Sequence, residues 1–154
     1  MGSAGRRALV DELERAFLEF SEVVREIPRE VYDAEVPGEE GSVREILRHV
    51  VECGYGHVAY VAQHCGGQTA SRRFESPVRL DDAETWTAAL LDVIRHAREA
   101  LANVEDAWLE RRFKSRWGQD YDGEQMLEHA TCHPGRHSRQ LQKFFDGTLG
   151  APSP

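Results

Sequence analysis

The chain has 154 residues, enough for one domain that buries about two-thirds of its unfolded surface and too many for a scaffold stapled by disulfides. Charged residues make up 30% and the hydrophobic set 40%, and no run approaches the ~18 consecutive apolar residues a membrane-spanning helix needs. Nineteen basic residues against 27 acidic leave a net charge of −8, so the electrostatic footprint of a duplex-DNA or anionic-membrane binder is missing and neither partner is expected.

Leu9, Leu13, Ala16, Phe17, Phe20, Val24 and Ile27 recur at spacings of three and four, one helical face, until Pro28 ends the pattern. The spacing predicts a first helix over roughly 5–27. Ser42-Val43-Arg44-Glu45 has the form of a capping box and predicts the start of a second helix. That helix carries Val43, Ile46, Leu47, Val50, Gly54, Val58 and Val61 to about Cys65, where Gly66-Gly67 stops it. A polar loop follows to about Leu80, and Asp81-Asp82 caps a third helix, roughly 82–106, whose stripe runs from Trp86 to Val104. After a basic connection, Asp122-Gly123-Glu124-Gln125 opens a fourth helix, roughly 123–146, ended by Gly147.

No alternating strand pattern, internal repeat or low-complexity tract is visible. Four amphipathic helices with one apolar stripe each imply an all-α four-helix bundle, a single domain over 1–150 with a disordered tail at 151–154. The connections reach about 16 residues, a length that suits crossover topologies or a loop-built pocket mouth. Cys53, Cys65 and Cys132 are odd in number and far apart, and the amino-terminal residues hold no apolar stretch behind Arg6-Arg7. The expectation is a cytoplasmic protein with free thiols.

The fourth helix holds His129, His133 and His137 at a spacing of four. At about 100° per residue, His133 and His137 fall within roughly 40° of the centre of the stripe set by Met126, Ala130, Leu141 and Phe144, while His129 sits at its edge. Two inward imidazoles one turn apart need partners for their nitrogens, and the spacing lets both converge on one metal ion. A third ligand from the facing second helix would be His49, Cys53 or His57, and geometry does not choose among them. Cys53 reads first as a small core filler and second as a thiol near the metal. His64 reads as a helix-end residue and His96 as a surface one. Glu124 and Glu128 fall off the stripe, which argues against a di-iron carboxylate bundle.

Ser42-Val-Arg-Glu-Ile-Leu-Arg-His49, together with His129-x-x-x-His133-x-x-x-His137-Ser-Arg-Gln140, resembles the DinB/YfiT-like superfamily of metal-binding four-helix bundles, over most of the chain. The resemblance implies His49, His133 and His137 as metal ligands and leaves His129 outside. It also implies either a metal-dependent hydrolase or a transferase that places a low-molecular-weight thiol on a small-molecule substrate, and a homodimer. A non-catalytic metal-binding or stress-response protein is the alternative, and a bundle with merely structural histidines a third. Imidazole ligands suit zinc, nickel and iron alike. Pro134 and Gly135 depart from an ordinary helix interior, and a kink there would free the carbonyl of Ala130 for a second hydrogen bond. Arg136, Arg139 and Gln140 flank the ligands, and the stretch from Arg111 to Trp117 is expected to be a solvated loop.

Overall fold

The computed structural model describes residues 4–38, 41–67 and 82–147. The expected tail at 151–154 and most of the polar loop to Leu80 lie outside them. Helices α1 (Ala4–Arg25), α2 (Val43–His64), α3 (Ala83–Leu101) and α4 (Gly123–Phe145) form a four-helix bundle. No helix among the described residues is long and apolar enough to cross a membrane.

The helix starts follow their local chemistry. Ser42 accepts from the Glu45 amide while the Glu45 carboxylate accepts from the Ser42 amide, and Asp122 and Gln125 repeat the reciprocal cap at α4. Asp82 accepts from the Thr85 amide at 2.7 Å. At α1 the cap comes from far along the chain: the Asp106 carboxylate accepts from the amides of Gly5 and Arg6 at 3.1 and 2.9 Å.

Each apolar stripe points into one core, with Phe17 and Phe20 of α1, Ile46 and Val50 of α2, Trp86 and Leu90 of α3, and Met126 and Leu141 of α4 all buried. α1 packs against α3 and α4, and α2 packs against the same two. Helices joined by the first and third connections are therefore diagonal to one another. Both connections cross the end of the bundle, in the topology that their length allows. Where α1, α2 and α3 approach, Gly54 leaves no room for a side chain: a Cβ there would lie 2.8 Å from both Phe17 Cζ and Val93 Cγ1.

The structure corrects four expectations. α3 ends at Leu101, short of 106, and a five-residue 3-10 turn, Asp106–Glu110, follows; Val104 is nonetheless buried. A small β element exists: β1 (Arg112–Lys114) pairs antiparallel with β2 (Asp120–Asp122). Three-residue strands with one buried side chain, Phe113, are too short to display alternation. The Arg111 to Trp117 stretch is thus half of a hairpin, anchored by Phe113 stacking on His64 with centroids 4.5 Å apart and by the Arg116 amide donating to Tyr60 Oη at 2.9 Å. His96 is buried beside Tyr55 with ring centroids 5.5 Å apart, because α3 is covered on two sides, by α1 and by α2. His64 closes α2 as expected, and α4 continues through the buried Pro134.

Candidate metal centre

The neighbouring helices α2 and α4 bring together residues 84 apart in sequence: His133 Nε2 lies 3.0 Å from His49 Nε2. One turn further along α4, the His137 ring lies 4.7 Å from that of His133 and 5.2 Å from that of His49, centroid to centroid. One turn further along α2, Cys53 Sγ lies 3.6 and 3.8 Å from the two ring nitrogens of His49. The ligand atoms of His49, Cys53 and His133 all fall within 4.8 Å of one another.

This donor set fits a divalent transition metal. Two imidazole nitrogens on one tetrahedral ion stand about 3.4 Å apart, given bond lengths near 2.1 Å, and the observed 3.0 Å is within a small ring rotation of that. The orientation of His137 is also set. Its Nδ1 lies 2.9 Å from Gln140 Oε1, an atom that can only accept, so Nδ1 carries the proton and Nε2 the lone pair. Gln140 is held in turn by donating its Nε2 to the Pro37 carbonyl at 3.4 Å, a contact from the first crossing connection.

Three histidines here, His57, His129 and His133, are held below the usual imidazole range. Burial, then the neighbouring His137, His57 and His49, push His133 down to about 3 from the usual 6.5. Burial, then His129 and His49, push His57 to about 4. His129 is lowered too, by burial. Neutral rings at pH 7 keep the lone pairs that a metal needs.

His57 and His129 form a second layer. His57 is buried, with its ring 4.9 Å from His129 and 5.6 Å from His133, and its Nδ1 has no hydrogen-bond partner. Trp117, carried by the hairpin, lies 5.7 Å from His129 and 6.4 Å from His57. Tyr121 lies 5.8 Å from His129. Hairpin aromatics thus border the cluster on the side opposite Gln140. Sequence reasoning missed this border, because the tryptophan's place depends on where the second crossing connection lands. The missed clue was an apolar Phe113 and Trp117 within a run of basic residues.

A model of the DinB superfamily matches residues 12–141. The chain belongs to that superfamily. Among solved structures, this DinB-superfamily chain is similar to YfiT from Bacillus subtilis, described as a probable metal-dependent hydrolase with an unusual four-helix bundle topology. The two share 15% identity with a TM-score of 0.70 over 92% of this chain and 87% of that one, a likeness of fold. No curated protein matches the chain.

Proposed function

We propose that the chain holds one divalent transition metal, zinc, nickel or iron, through His49, His133 and His137, and uses it to activate a nucleophile against a small-molecule substrate. The observation that carries this is the convergence of imidazoles from two helices, with His133 Nε2 and His49 Nε2 3.0 Å apart. A divalent ion supplies Lewis acidity there, lowering the pKa of a water or thiol that joins it. The protein's residues do the rest. Neutral imidazoles leave the ion's charge uncompensated, and Gln140 keeps the lone pair of His137 turned away from itself. His57, His129 and Trp117 stand beside the ligands as a set of contacting rings, His57 reaching the His133 ring at 5.6 Å.

Hydrolysis is the first reading, since it matches the description of the YfiT neighbour. Transfer of a low-molecular-weight thiol uses the same ligands and differs only in the nucleophile. Elemental analysis of protein purified without chelators tests the metal, with about one ion per chain expected. Zinc-loaded protein offered esters and amides, and separately a thiol with an electrophile, then separates water from thiol. Protein that carries no metal and takes up neither zinc nor nickel would overturn the proposal.

A further inference from the structure

Trp117 is 46% exposed, although it belongs to a layer of contacting rings. Its ring lies 5.6 Å from Tyr121, 5.7 Å from His129, 6.1 Å from Tyr60 and 6.4 Å from His57, and its indole N–H donates to Gln119 Oε1 at 3.3 Å. The turn that carries it is tied as closely. The Ser115 amide donates to the Gln119 carbonyl at 2.8 Å, the Gln119 amide donates to Ser115 Oγ at 3.1 Å, and Gly118 takes the φ of +90° that closes the turn. An indole held this way has met its ordering cost in the fold, so a molecule that covers its exposed surface gains the apolar burial almost in full.

Along α2, His49, Cys53, Gly56 and Tyr60 follow one another at spacings of four, three and four, one line on the helix surface. The line runs from the proposed metal to the ring that Trp117 touches. Its middle is open. Gly56 is partly buried and has no positive φ, and a Cβ there would meet nothing within 4 Å. Glycine weakens a helix interior, and at Gly56 neither the backbone nor the packing of this chain calls for it, in contrast to the crowded Gly54 two residues earlier. His57, 5% exposed, has its ring 6.4 Å from Trp117 and 5.6 Å from His133, and its buried Nδ1 has no hydrogen-bond partner, a deficit that a polar group of a bound molecule would relieve.

Resting on the metal centre proposed above, we propose that Trp117 sets the substrate class: a small molecule whose aromatic ring stacks on the indole and whose connecting chain lies over Gly56, with its reacting group at the ion held by His49 and His133. The span is short. His129, beside the indole, is one turn or about 6 Å along α4 from His133, and Gly56 is about 10 Å along α2 from His49. A molecule with its ring three or four bonds from its reacting group covers that distance.

The test uses zinc-loaded protein and two metal-binding probes, acetohydroxamate, which has no ring, and 4-phenylbutanohydroxamate, with affinities read by calorimetry. In the wild type the phenyl probe should bind at least about tenfold tighter than acetohydroxamate. Trp117→Ala should weaken the phenyl probe by at least about tenfold, the loss expected of one stacking partner, while Trp117→Phe keeps most of its affinity. Gly56→Leu, which fills the middle of the line, should weaken the phenyl probe by as much. All three variants should keep their zinc and their acetohydroxamate affinity, which separates loss of the stacking face from loss of the site. Gly56→Leu lies outside the hairpin and decides the matter even where Trp117→Ala folds poorly. A phenyl probe that binds wild type no tighter than acetohydroxamate, or binds Trp117→Ala or Gly56→Leu as it binds wild type, overturns this placement and leaves the metal centre standing. So does a wild type that holds zinc and binds neither probe. A wild type that takes up no zinc overturns the metal centre and this proposal with it.

Discussion

Gln140 joins His137 to the bundle's first connection: its Oε1 accepts from His137 Nδ1 at 2.9 Å while its Nε2 donates to the Pro37 carbonyl at 3.4 Å. One amide thereby fixes a ring and a loop together. Metal-bound imidazoles are oriented by such partners, whose removal weakens binding by about 10- to 100-fold. Gln140→Leu should lower zinc affinity by at least about tenfold, whereas Gln140→Glu, which keeps an acceptor facing Nδ1, should retain most of it. Competition with a fluorescent zinc chelator measures both. Equal affinities in Gln140→Leu and wild type would show that the amide does not position the ring.

The ligand set predicts an unequal response among histidines of one helix. His133→Ala, His137→Ala and His49→Ala should each lose most of the bound metal, while His129→Ala, whose ring lies 6.4 Å from that of His133, should keep it. Metal content per chain by elemental analysis reads this directly. Loss of metal in His57→Ala with retention in His49→Ala would reverse the assignment on α2.

The helical framework was legible because its signals are local: both capping boxes and all four stripes are set by residues three and four apart. What escaped depends on contacts distant in sequence. His57 lies nearer the centre of its stripe than His49, so the stripe alone does not choose, and it was the family resemblance that favoured His49. The structure places the His49 nitrogen against His133 and turns His57 toward His129. The hairpin and the buried His96 likewise depend on which elements cover which, a matter settled by the crossing connections and not by any short window of sequence.

The depressed pKa values give the metal-free protein a definite acid response. His57 at about 4 and His133 at about 3 stay neutral in the fold at pH values where the unfolded chain, with imidazoles near 6.5, takes up protons. Stability is therefore at its full value above about pH 6.5 and falls as the pH drops toward 4, by up to about 1.4 kcal/mol per group per pH unit. Thermal unfolding of chelator-treated protein should give a lower Tm at pH 5 than at pH 7.5. Added zinc should raise Tm at pH 7.5 and raise it less at pH 5, because a protonated nitrogen cannot bind metal. A Tm unchanged by zinc at pH 7.5, in protein shown to bind it, would separate the site from the stability of the fold.

Gly54 supplies a test of the packing away from the metal. A side chain there would press on Phe17 and Val93, both fully buried and on different helices, so neither can yield without moving its helix. Gly54→Val should cost about 1–3 kcal/mol in denaturant unfolding. A variant as stable as wild type would mean that three helices can spread there at no cost.

The diagonal placement of consecutive helices has a consequence in time. His49 and His133 are separated by 84 positions, with all of α3 and the second crossing connection between them. A chain lengthening on the ribosome has His49 available early but gains its α4 histidines only after α3 and the second crossing connection have been made. Before then, any ion meets only His49 of the proposed ligand set. On the proposed ligand set, loading must follow synthesis of α4, and the long-range closure that brings α4 onto α2, whose entropic cost rises with the loop it spans, sets the earliest moment at which metal can be captured.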